Sequence, residues 1–151
     1  MSYQERQVAS SLIASLIIFT AYFLWLWRAS ASGYFDGPDA SRLAGIAICV
    51  LMVGGVLFTI GFSILFNIVM GIISNNPEPS FVVDERDKLL ELRATQIGNA
   101  LIGLGFVACM IGLALGISLF WTLQLIVIAF AFGSLMESVF QLAFYRWGAW
   151  S

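Results

Sequence analysis

Four stretches of this chain are long, apolar and almost free of charge: Val8 to Trp27, Leu43 to Ile73, Ala94 to Ile117 and Leu119 to Tyr145. A bilayer core is roughly 30 Å thick and an α-helix rises about 1.5 Å per residue, so about 20 apolar residues cross it. Inside hydrocarbon no water is available to backbone amides and carbonyls, and a segment that satisfies its own backbone must be helical. The expected fold is therefore all-α, a polytopic integral membrane four-helix bundle forming one transmembrane domain over residues 1–151. Composition agrees, with 60% hydrophobic and 11% charged residues, where soluble domains carry roughly 25% charged residues.

The first run could be mistaken for a signal peptide, because Ala29-Ser30-Ala31 resembles a small-residue cleavage site. Its apolar stretch exceeds the usual signal core of roughly 7 to 15 residues, and Tyr22, Trp25, Trp27 and Arg28 read as an interfacial anchor. It is read as a span. Gly33, Asp36, Gly37 and Pro38 then supply turn chemistry, and Asp39 or Ser41 can cap the next helix. The second run would be about 46 Å long as one helix, so it must tilt, kink or protrude, most easily at Gly54, Gly55 or Gly61. Asn75-Asn76-Pro77-Glu78-Pro79 ends it.

A third helix is expected from an Asp84 cap, with Glu85 and Asp87 in its first turn and Lys88 four residues after Asp84. No breaker separates these charged turns from the apolar run at Ala94. One continuous helix should therefore emerge from the headgroup region, with residues 74–93 cytoplasmic. Gly116, Ile117 and Ser118 leave room only for a tight connection, so helices three and four are expected as antiparallel neighbours. The aromatic tail Arg146 to Ser151 is expected along the interface.

Arg6, Arg86, Lys88, Arg93 and Arg146 fall on one side of this layout, and Arg28 and Arg42 on the other. The excess of basic residues places both termini in the cytoplasm, with a bacterial inner membrane as the expected location.

Several chemistries are excluded or disfavoured. The chain has no histidine, which removes b-type haem ligation, histidine-based zinc sites and Ser-His or Cys-His catalysis. Its net charge of −2 provides no basic surface for nucleic acid. Cys49 and Cys109 both sit within apolar runs and read as small buried side chains. No nucleophile is paired with a base, so no enzyme, cofactor or metal centre is expected.

Polar residues inside the spans are the exceptions that need partners. Glu137 is the one acid within a span, and Ser134, Glu137 and Gln141 share a helical face. Arg93, Gln96 and Asn99 share a face of helix three that continues to Gly103. Antiparallel packing would bring their depths together, so a polar cluster of Asn67, Gln96, Asn99, Glu137 and Gln141 is expected. Interhelical hydrogen bonding is its favoured role, and proton or ion coupling through Glu137 is the alternative. Gly112 and Gly116 form a GxxxG pattern, which permits close helix approach.

The charged start of helix three is the remaining feature. Asp84, Asp87 and Glu91 share a face that could offer oxygens to a divalent cation, but interleaved Arg86, Lys88 and Arg93 favour internal ion pairs. Asp84, Glu85, Arg86, Asp87, Glu91 and Arg93 could dock a cytoplasmic partner. The segment Asp84-Glu85-Arg86-Asp87-Lys88-Leu89-Leu90-Glu91-Leu92-Arg93-Ala94-Thr95-Gln96-Ile97-Gly98 resembles the Asp-Glu-Arg-Asp signature before the third span of a family of small bacterial four-span membrane proteins of unknown function. The resemblance implies an architecture like that of small membrane proteins encoded beside helix-turn-helix regulators, and with it membrane sensing or repressor sequestration. Three roles follow: an accessory or scaffolding subunit of a larger membrane complex, a sensor using the Asp84–Arg93 helix, and a small proton-coupled transporter using Glu137. The bilayer is the first partner, joined by other membrane subunits or further copies of the chain.

Overall fold

The computed structural model describes residues 3–74 and 85–147, with side chains over 5–73, 85 and 88–145. Its four helices are α1 (Tyr3–Ala31), α2 (Ala40–Ser74), α3 (Glu85–Ala114) and α4 (Leu119–Trp147). Each is long and apolar enough to cross a membrane. The fold is therefore the all-α four-span bundle, and among the described residues no strand interrupts it.

Two of the connections use the same device. After α1, the Gly33 amide donates to the Ser30 carbonyl at 3.1 Å and the Tyr34 amide to the Ala29 carbonyl at 3.1 Å, while Gly33 takes φ 74°. After α3, the Gly116 amide donates to Leu113 at 3.1 Å and the Ile117 amide to Gly112 at 3.1 Å, with Gly116 at φ 91°. Both are Schellman ends, in which a left-handed glycine lets the chain turn back and satisfy the last helical carbonyls. This shortens helix three relative to the expected Ile117 boundary and places its end at Ala114. Asp39 precedes α2, its carbonyl accepting from the Leu43 amide at 3.0 Å, and Ser118 precedes α4, its carbonyl accepting from the Thr122 amide at 3.0 Å.

Helix α2 runs without interruption through Gly54, Gly55 and Gly61, so its 35 residues, about 52 Å, exceed the hydrocarbon thickness. Helix α3 is one continuous rod from the charged Glu85 turn into the apolar span. Asp84, the expected cap, and the tail beyond Trp147 lie outside the described residues, as do the side chains of Arg86, Asp87 and Arg146.

Helix α4 occupies the centre. It packs against α1, α2 and α3, and α1 also packs against α2. Among the described residues α3 touches neither α1 nor α2, so it stands alone on the far side of α4. Thr95 meets Glu137, Gly98 meets Glu137 and Gly133, and Gly105 meets Ala129, which makes α3 and α4 antiparallel.

The α3–α4 seam is built from small residues. A Cβ placed on Gly105 would lie 2.5 Å from the Ala129 Cβ, and one on Gly98 would lie 2.8 Å from the Glu137 Cβ and 3.2 Å from the Gly133 carbonyl oxygen. A Cβ on Gly133 would collide with Ile102 and reach to 3.0 Å from the Gly98 carbonyl oxygen. Close backbone approach of this kind is how helices gain dispersion contacts in lipid, where no hydrophobic drive separates protein from solvent. The expected Gly112/Gly116 pair works elsewhere: Ile117 folds over Gly112, with 2.9 Å between its Cδ1 and a Cβ built there.

Two expected placements, an interfacial Tyr22 and a buried Cys49, are reassigned. Tyr22 is buried rather than interfacial, because it points from α1 into α4. Cys109 is buried in the α3–α4 seam, whereas Cys49 is exposed, because most of the surface of α2 faces outward. The first connection also carries more than turn residues. Phe35 is only 9% exposed and packs 4.9 Å from Phe120, 6.1 Å from Trp25 and 5.2 Å from Tyr34, closing that end of the bundle with aromatic rings.

Candidate functional site

The polar residues of the spans divide into three groups. The first lies in the α3–α4 seam. Thr95 Oγ1 donates to Glu137 Oε1 at 2.7 Å, and the other carboxyl oxygen, Oε2, lies over Gly98, 3.1 Å from a Cβ built there. An acidic side chain at this depth is costly in contact with lipid tails. Here it is half-buried between two helices, where the absence of a side chain at Gly98 makes room for it.

The second group lies nearer the aromatic end. Gln124 is 2% exposed, and its Oε1 accepts a 2.8 Å hydrogen bond from the Tyr22 hydroxyl, joining α4 to α1. Its Nε2 has no hydrogen-bond partner among the described residues. Thr122, equally buried, turns its hydroxyl back to the Ser118 carbonyl at 3.1 Å.

The third group faces outward. Gln96 and Asn99 are exposed on α3 outside its seam with α4, and Gly103 beside them has open space around it. Successive residues turn by about 100°, so Thr95 and Gln96 cannot point the same way. The expected five-residue cluster is consequently not assembled. Glu137 takes Thr95 in place of Gln96 or Asn99, Asn67 donates to its own helix at Ser63 with 2.8 Å, and Gln141 Nε2 contacts the Tyr145 hydroxyl at 3.4 Å. Gln124 and Tyr22 were legible as polar residues within apolar runs, but pairing them needed the relative rotation of α1 and α4.

At the charged start of α3, Glu85, Glu91 and Arg93 are exposed. Asp84 and the side chains of Arg86 and Asp87 are outside the described residues. Between α1 and α2 runs an apolar cleft in two lobes of about 590 and 470 Å³ that share Ile18, Leu51 and Gly55, and α4 lines the smaller one. Tyr22, Trp25 and Tyr34 line one lobe; Ser15, Thr59 and Ser134 provide the hydroxyls of the other. Among the described residues no group of three or more cysteine, aspartate or glutamate side chains could hold a metal ion.

No family model, curated protein or solved structure matches this chain. Its own geometry is what speaks to its role.

Proposed function

We propose that the chain is a non-catalytic accessory or scaffolding subunit of a larger membrane assembly, docking through the outward side of α3. It would reside in a bacterial inner membrane with both termini in the cytoplasm. The observation that carries this reading is the exposure of Gln96 and Asn99 within a span. Asn99 lies six residues, about 9 Å, beyond Arg93 and 15 residues, about 22 Å, before Ala114, which puts it well inside the hydrocarbon. An amide transferred to an apolar medium without hydrogen bonds loses roughly 2 to 7 kcal/mol. A neighbouring helix removes that penalty, and asparagine and glutamine at helix contacts are the usual polar glue in membranes.

Glu137 is read as a fastener of the α3–α4 pair, since Thr95 and Gly98 engage it. The sensor reading draws on a separate observation, the exposed Glu85, Glu91 and Arg93 at the start of the same helix. The resemblance of the Asp84–Gly98 segment to small bacterial four-span proteins is compatible with either role.

Affinity purification in mild detergent followed by native mass measurement tests the proposal. The parent chain is expected to migrate with additional subunits, and the double variant Gln96→Leu/Asn99→Leu to lose them while still folding. A parent that runs as a homogeneous monomer overturns the reading.

A further inference from the structure

We propose that one occupant of the outward side of α3 is a second copy of this chain, packed α3 against α3 in a parallel, two-fold seam. The inference rests on the docking reading above and names its partner. Leu92, Gln96, Asn99, Gly103, Phe106 and Met110 follow one another at alternating spacings of four and three residues. All six are exposed, with Leu92 at 58% and Phe106 at 48%. Leu89 continues the stripe three residues earlier. This spacing is the heptad that keeps one face of a helix directed at a partner helix over several turns.

The chemistry along the stripe identifies the partner. Copies inserted with the same orientation can be related only by an axis along the membrane normal, so their α3 helices run parallel and each residue meets its own counterpart. Carboxylates or ammonium groups in that arrangement would repel. Amides do not, because each carries both a donor and an acceptor and can bond its twin. Gln96 and Asn99 are the amides, and they sit between Leu92 on one side and Gly103 on the other. Beyond the backbone of its own turn, nothing lies within 4 Å of the position where a Gly103 Cβ would be built, which leaves the space for close approach of the second helix. A polar residue within an apolar heptad also fixes register, because sliding the helices would strand both amides in hydrocarbon. The route is clear, since among the described residues α1 and α2 do not touch α3.

Crosslinking of the full chain in native membranes tests the proposal. In a Cys49→Ser/Cys109→Ala background, Asn99→Cys and Gly103→Cys should form disulfide-linked pairs of this chain under copper phenanthroline. Leu104→Cys should not, although it is 69% exposed, because it is turned about 100° from Gly103. In bilayers, Asn99→Leu should weaken self-association about 3- to 18-fold by donor–acceptor fluorescence, and Asn99→Gln should largely preserve it. Equal crosslinking at Leu104 and the stripe overturns the seam as random collision. Adducts only with a chain of different mass overturn the second copy and leave the docking side standing. No adduct at any of the three positions overturns the second copy while co-purifying subunits remain, and overturns the docking reading as well if they too are absent.

Discussion

The contact between Thr95 and Glu137 illustrates how one rotation decides a residue's role. Glu137 was legible as an intramembrane acid in need of a partner, and Gln96 and Asn99 were the partners expected on α3. The helix turns Gln96 about 100° away from Thr95 and leaves Asn99 exposed one turn further on, and the smaller hydroxyl takes the contact. Removing that donor in Thr95→Val should lower stability by about 0.6 to 1.7 kcal/mol, the range of interhelical hydrogen bonds in membrane proteins. Glu137→Gln should largely retain the contact, since its amide carbonyl can still accept from Thr95. Gly133→Leu should be worse than either, by about 1 to 3 kcal/mol or more, because its side chain would enter Ile102 and the Gly98 carbonyl. Thermal unfolding in detergent ranks the three; a Gly133→Leu protein as stable as its parent would contradict the tight seam.

At the scale of the helices, the ends are governed by local backbone chemistry. Gly33 and Gly116 are the described glycines with positive φ, and each closes a Schellman end. A β-branched residue resists that conformation, so Gly116→Val should destabilise the α3–α4 hairpin by about 1 to 2 kcal/mol, while Gly116→Asn, better tolerated there, should fall between. Hydrogen exchange of the Leu113 to Thr122 amides measures it, and an unchanged pattern would mean that the turn is not held by Gly116. The sequence already marked both glycines as turn formers. It also marked Gly112 and Gly116 as a helix contact, which the end of α3 converts into capping geometry.

For the whole molecule, the central position of α4 explains why the interhelical polar pairs converge on it: Tyr22 reaches it from α1 and Thr95 from α3. The proposed orientation belongs at this scale. With basic residues concentrated at the Arg6, Arg93 and Arg146 end, a phosphatase reporter, active only outside the cytoplasm, should be inactive when fused after Ser151 and active when inserted at Gly37. The reverse pattern would invert the molecule.

The sequence by itself determined the number of spans, their approximate limits and the antiparallel α3–α4 hairpin. Each of these depends on the length of an apolar run or on local turn chemistry, which the order of residues carries directly. Which side chains meet was decided only by the tertiary structure. In lipid every apolar helix face is equally well solvated, so hydropathy does not set the rotation of a helix about its axis. Small-residue packing at Gly98, Gly105 and Gly133 sets that rotation for α3, and with it turns Thr95 inward and Gln96 and Asn99 outward.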